Sequence, residues 1–320
     1  MAASGVTPVV RRASNERRSS RRAVSPSPPD RALVPVQKLI SVVIPTRDRN
    51  EALARCLDRL APCAQALSHD QYEVVVADDS AHAAARELVF DRYPWVRWTG
   101  GPRRGPAANR NAGARVARGE WLAFTDDDCL PEFGWLEAFA SVFNPNPDAL
   151  DVLEGRTICR AGLDSPRHGA PVNLDGGRLW SCNFAIRRAH FAQMGGFDER
   201  YPYPHMEGAD LQARLLKAGF MIRFIPDADV DHPPRPLPWG ATLARVHESS
   251  VLHMTLHGPR HGLPWYLQHQ TRARLARIVR GSKSLDTLSA LISLPVELGT
   301  IALHWREWRA RAQLLAARSS

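Results

Sequence analysis

Apolar positions along the first half of the chain alternate between two periods. Leu39-Ile40-Ser41-Val42-Val43-Ile44 is an almost unbroken apolar run, which predicts a buried strand stopped by Pro45. Leu53, Cys56, Leu57 and Leu60 follow at i, i+3, i+4 and i+7, the spacing of one helix face. Tyr72 to Ala77 predicts a second strand, residues 83–92 a helix, and Trp95 to Trp98 a short third strand. Gly105-Pro106 is a helix start, since proline suits the first helical position. Ala108, Ala112 and Val116 give that helix a narrow face of small residues, and Gly119 closes it. Trp121-Leu122-Ala123-Phe124 then predicts a fourth buried strand.

Strands that alternate with helices in this way predict a parallel sheet flanked by helices, an α/β fold. Beyond residue 144 the regularity weakens. Val152 to Ile158 and Leu179 to Ile186 predict strands, residues 207–218 a helix, and Phe220–Ile225 and Ala228–Val230 two short strands. From Thr242 the pattern is helical. The expected organisation is a disordered basic tail over 1–37, a catalytic domain over 38–240 and a helical C-terminal region over 241–320.

Charge follows that division. Residues 1–40 carry eight Lys/Arg against two acids, and residues 241–320 eleven against four, whereas residues 41–240 hold 23 against 27. The net values are +6, +7 and −4, so the basic pI describes the ends and not the core. Basic ends around an acidic centre fit an anionic surface better than a basic cleft, and no specific nucleic-acid partner is expected. Thr287 to Trp305 contains one formal charge, Glu297, between basic flanks; this predicts a helix lying in a membrane interface or packed on the catalytic domain. Five scattered cysteines without a C-x-x-C pair, and no apolar segment near the N-terminus, predict a cytoplasmic chain, peripheral at most on the membrane.

The polar clusters Thr46–Asp48, Asp78–Asp79 and Asp126–Asp128 each follow a separate predicted strand. In open parallel sheets ligands bind at those carboxyl ends, so the three converge on one crevice. Asp126-Asp127-Asp128 places three like charges where a core strand meets solvent. A polar turn capping the next helix is the plainer reading; a divalent cation, Mg2+ or Mn2+, holding all three ionised is the favoured one.

These segments together resemble family 2 glycosyltransferases, inverting enzymes of the GT-A fold, across residues 39–235. Ser41 to Arg49 is similar to the family's opening strand and nucleotide-base loop, which implies that Pro45, Thr46 and Arg47 contact the donor. Val74 to Ser80 resembles its second strand, implying base contacts from Asp78 or Asp79. Gly105-Pro106-Ala107 with Arg110, Asn111 and Gly113 resembles its helix beside the nucleotide. Phe124 to Asp128 resembles the D-x-D metal motif, implying Asp126 and Asp128 as metal ligands, with Asp126 and Asp127 also near the nucleotide sugar. Asn183 to Arg188 and Gly195 to Glu199 resemble the acceptor-side segment, and His232 stands where the family often completes its metal site.

One position departs from the family pattern. The usual E-D-x-D/E-L reads Glu207-Gly208-Ala209-Asp210-Leu211, with glycine where the family's base Asp would stand. Glu207 is then the expected base, weakened by the helix dipole, and Asp210 the alternate. The implied reaction moves a sugar from a nucleotide-diphosphate sugar to a hydroxyl of a glycan or lipid-linked saccharide. A degenerate, non-catalytic binding module is the alternative, and Gly208 is what favours it. A nicotinamide dehydrogenase or a sugar-phosphate nucleotidyltransferase would need a glycine-rich loop after the first strand, where Pro45-Thr46-Arg47-Asp48 has none.

Overall fold

The computed structural model describes residues 39–146, 148–201, 203–259, 261–281 and 285–317, all within one unit spanning Val36–Ser320. The tail over 1–37 lies outside the described residues. The first half of the chain alternates as read: β1 (Ile40–Thr46), α1 (Asn50–Arg59), β2 (Tyr72–Asp78), α2 (Ala84–Arg92), β3 (Val96–Gly100), α3 (Pro106–Val116) and β4 (Trp121–Phe124). Strand β1 does not stop at Pro45. It runs on to Thr46, because β2 pairs with it in parallel register as far as Thr46 opposite Asp78.

The second half carries β5 (Leu130–Pro131), α4 (Trp135–Ala140), β6 (Asp151–Ile158), β7 (His168–Gly169), β8 (Phe184–Arg187), α5 (Arg188–Gln193), α6 (Glu207–Lys217), β9 (Met221–Asp231) and β10 (Arg235–Pro236). Two expectations change. The strand expected from Leu179 shrinks to β8, because Asn183 N–H turns back to the Trp180 carbonyl and breaks the extended run. The two short strands expected over 220–230 are one strand, β9, with a register shift opposite Gly155/Arg156 of β6.

Eight strands form one sheet in the order β3-β2-β1-β4-β8-β6-β9-β5, with β10 and β7 as a separate antiparallel pair. Strands β1 to β4 are mutually parallel where they pair; β8 and β5 run antiparallel to their neighbours. Sequence order reverses between β1 and β4, so their following loops diverge and leave a crevice. Burial on both faces explains the continuous apolar runs. Val42, Ile44, Trp121 and Ala123 enter one core, whereas Val43, Leu122 and Phe124 enter the other.

Helix α3 lies close on the second face through Gly113, where an added Cβ would stand 2.6 Å from Val43 Cγ1. Val116, expected on that face, is instead 36% exposed. Helices α7 (Gly240–Arg245), α8 (His247–Leu256), α9 (Leu263–Arg280) and α10 (Leu285–Ala317) follow. They share a third core with Tyr201, built on Val251, Leu252, Tyr266, Ile301, Trp305 and Trp308.

Gly119, in the turn before β4, sits against main chain: a Cβ there would meet Ser41 N at 2.5 Å and Ile40 C at 2.6 Å. Backbone cannot rotate aside as a side chain can. Gly119→Ala should therefore lower unfolding free energy by about 1–3 kcal/mol. Gly134→Ala, where a Cβ meets nothing within 4 Å, should stay within about 0.5 kcal/mol. Urea titration of both variants checks the pair.

Candidate active site

The acidic triad is built by a turn. Thr125 N–H still bonds the Val43 carbonyl of β1, and Cys129 N–H folds back to the Asp126 carbonyl. Asp127 turns inward and is fully buried. Its carboxylate accepts Thr46 Oγ1–H at 2.8 Å and Arg49 Nε–H at 3.1 Å, and pairs with Arg49 Nη2 at 2.5 Å. Burial pushes the Asp127 carboxyl up to about 6, with Asp128 and Asp126 adding to the rise and Arg49 and Thr46 opposing it. Asp126 faces the other way. Burial would raise it too, but Arg110 and Arg235 outweigh that and hold it down at about 2. Asp128 pairs with Arg49 at 2.9 Å and with Arg235.

Arg110 of α3 is buried and spans the site, donating to Asp126 Oδ1 at 2.5 Å and to Glu207 Oε1 at 3.1 Å. A cavity of about 540 Å³ opens beside this bridge, lined among others by Arg110, Asp126, Trp180, Glu207, His232 and Arg235. Glu207 begins α6 and faces this cavity. The helix dipole was expected to lower its pKa, but burial is the larger influence and raises it, against the pull of Arg110. Gly208 has a steric reason. A Cβ there would lie 2.6 Å from the Leu179 carbonyl oxygen, so the loop before β8 fills the space.

Several residues expected at the site are held elsewhere. Asp210 is buried away from the cavity, bonded to His257 Nε2 at 2.6 Å, Arg214 Nε at 2.8 Å and Tyr201 OH at 3.3 Å. It joins α6 to the C-terminal helices and offers no face to a substrate. Asn111 clamps α3 to the 197–199 turn through Phe197 and Glu199. Asn183, expected on the acceptor side, accepts Trp135 Nε1–H at 2.8 Å and donates to the carbonyls of Arg156 and Ala228. Asp78 accepts from Ser80 and from the Ala85 N–H of α2. Asp79 accepts the N–H groups of Arg103 and Gly105, shaping the loop into α3. Pro45 is buried within β1, and Arg47 is exposed beside Asp48. Arg49 and Arg235 were not among the residues singled out. Their signal was spacing: one lies three residues after Thr46, the other three after His232.

The family model for glycosyl transferase family 2 matches residues 41–195, just under half of the chain. Residues 41–195 are thus similar to family 2 glycosyltransferases. The pre-mycofactocin glycosyltransferase of Mycobacterium tuberculosis is 28% identical over 215 residues, 63% of this chain and 44% of that protein. The chain thus spans less than half the length of that relative. Among solved structures, a TarS fragment of S. aureus superposes with a TM-score of 0.52 at 17% identity, over 82% of this chain and 71% of that one. GalNAc-T7 in complex with UDP, GalNAc and Mn2+ gives 0.52 at 17% identity, over 68% and 50%. The fold is GT-A, with the mixed sheet and flanking helices described above.

The donor set at this strand end fits a divalent ion. Ligand atoms of Asp128, Cys129 and His232 lie within 4.8 Å of one another; burial raises the Cys129 thiol and keeps its proton on, which leaves Asp128 and His232 as the donors of that cluster. The Pro233 carbonyl can only accept, so His232 Nδ1, 2.9 Å away, is the donor there, and Nε2 lies on the other side of the ring, 3.6 Å from Asp128. Carboxylate oxygen and imidazole nitrogen suit manganese or magnesium beside a phosphate-bearing substrate.

Asn183 satisfies the Trp135 indole and joins α4, β6 and β9 from within the core. Asn183→Ala leaves that N–H and two carbonyls without partners, and should cost about 2–4 kcal/mol of stability. Thermal and urea unfolding read this directly.

Proposed function

We propose that this chain is an inverting, metal-assisted glycosyltransferase that moves a sugar from a nucleotide-diphosphate donor to a hydroxyl of a glycan or lipid-linked saccharide. The observation that carries the reading is Glu207, a buried carboxylate with a raised pKa that faces the cavity and is tied through Arg110 to Asp126. The acceptor oxygen attacks the anomeric carbon as the bond to the diphosphate oxygen breaks, inverting that centre. The acceptor proton passes to Glu207, whose raised pKa makes it a better base than an ordinary glutamate at neutral pH. Arg110 fixes the carboxylate and couples its position to the strand end that meets the donor. A divalent ion held by Asp128, His232 and Asp126 would neutralise charge growing on the leaving diphosphate. Asp127, Thr46 and Arg49 shape the floor beneath it.

Gly208 favours the competing reading, a binding module without turnover. Incubation with a panel of nucleotide sugars separates the two by release of free nucleoside diphosphate. Glu207→Gln should bind donor as the parent does yet transfer roughly 10²–10⁴-fold more slowly. In the parent, the acid limb of kcat/KM should lie above the ordinary glutamate range, because the base must be ionised and its pKa is raised. A panel without turnover supports the binding module instead.

Helix α10 supports peripheral attachment to an anionic membrane. It is long and apolar enough to span a bilayer by length and composition. Its two N-terminal acids turn inward, however: Asp286 accepts Ser165 Oγ–H at 2.5 Å, and Glu297 pairs with Arg274 at 2.8 Å and His247 at 3.0 Å. Ile301, Trp305 and Trp308 are buried in protein, which suits a helix lying on lipid and not crossing it. The outward stripe of Leu285, Leu288, Ile292, Val296 and Leu303 is exposed, 85% at its start and 78% at Leu303, and Arg306 follows. Leu288→Ser with Ile292→Ser should weaken binding to phosphatidylserine vesicles roughly tenfold or more. Flotation at low and high salt measures it; a parent that never floats removes the membrane from this reading.

A further inference from the structure

Arg235 of β10 reaches into the triad and touches every group assigned above to the metal. Its Nη2 donates to Asp128 Oδ1, stands 2.9 Å from His232 Nε2 and 3.7 Å from Asp126 Oδ2, while Nε pairs with Asp128 Oδ2. A guanidinium can only donate, so Nε2 is the acceptor of this contact, while Nδ1 serves the Pro233 carbonyl. A guanidinium therefore holds the same lone pairs that a divalent ion would take. Two cations cannot use them at once.

The charge balance points the same way. Asp126, Asp127, Asp128 and Glu207 face Arg49, Arg110 and Arg235, four carboxylates to three guanidinium groups. Without Arg235 the deficit is two charges, the valence of the expected ion. Arg49 and Arg110 lack this freedom. Arg110 is buried between two acids, and Arg49 is tied to the inward-facing Asp127. Arg235 alone of the three both contacts His232 and lines the cavity with a side chain 40% exposed. Its main chain is fixed, since β10 pairs with β7 at Gly169 and Leu237 N–H bonds the Arg167 carbonyl. Exchange can thus proceed by rotating one side chain.

We propose that Arg235 is the resident cation of the metal locus, and that a divalent ion loads by displacing it. This rests on the metal-assisted reading above and adds a condition to it: metal alone binds weakly. A displaced guanidinium needs another anion, and the diphosphate of an arriving donor is the one the reaction supplies. Metal and nucleoside diphosphate should then bind with positive coupling, each tightening the other by the same factor.

The test is Mn2+ binding to the full chain, followed by electron paramagnetic resonance of the free ion, with and without UDP. Arg235→Gln keeps length and hydrogen-bonding capacity but removes the charge. It should bind Mn2+ alone about tenfold or more tighter than the parent, with reduced coupling to UDP. Arg235→Lys restores a cation and should return toward the parent, which a merely structural loss would not do. Circular dichroism confirms that both variants are folded. Equal or weaker Mn2+ binding by folded Arg235→Gln overturns the exchange while leaving the metal reading intact. Mn2+ bound to neither protein, with or without UDP, overturns both.

Discussion

Three adjacent carboxylates at the end of a buried strand are an electrostatic problem before they are a site. Two unit charges about 4 Å apart repel by about 4 kcal/mol at the effective dielectric of a protein surface, and burial removes the water that would screen them. The fold answers with guanidinium groups from three separate elements. Arg49 comes from the loop after β1, Arg110 from α3 and Arg235 from β10. Each therefore binds a distant piece of chain to the end of β4. The crevice left by the β1/β4 switch is thereby tied to three separate elements through its acids.

The same opposition separates the three acids. Asp127 points into the core and its carboxyl is pushed up, whereas Asp126 points to Arg110 and Arg235 and is held down. Glu207 belongs to the same network through Arg110, and its own carboxyl is raised by burial. A single arginine thus contacts one carboxylate held down and another that burial raises. The proposed transfer uses that asymmetry, with one acid staying charged beside the donor and one receiving a proton.

Strands β1 to β4 and the acid triad were legible in the sequence because burial on both sheet faces leaves an apolar run, and its polar end stands out. The polar residues around them were not. Asn111, Asn183, Asp78 and Asp210 sit in segments that resemble substrate-contacting motifs, yet each spends its hydrogen bonds on other parts of the chain. Sequence records that an amide or carboxylate is present, not whether another group of the fold has already claimed it. Glu207 shows the converse. Local position at a helix start suggested a weakened base, and tertiary burial outweighed the dipole. Arg235 lay in a proline-rich stretch whose pairing with His168–Gly169 depends on contacts far along the chain.

Gly208 and the loop before β8 occupy one space between them. Its Cα hydrogen faces the Leu179 carbonyl, and any side chain at that position would strike main chain before it reached the cavity. Restoring the carboxylate usual at that place therefore requires the loop before β8 to retreat first, and a retreated loop would leave a gap beside the glycine. A side chain at 208 and the present course of the loop thus exclude each other, so position 208 and the loop around Leu179 would have to change together.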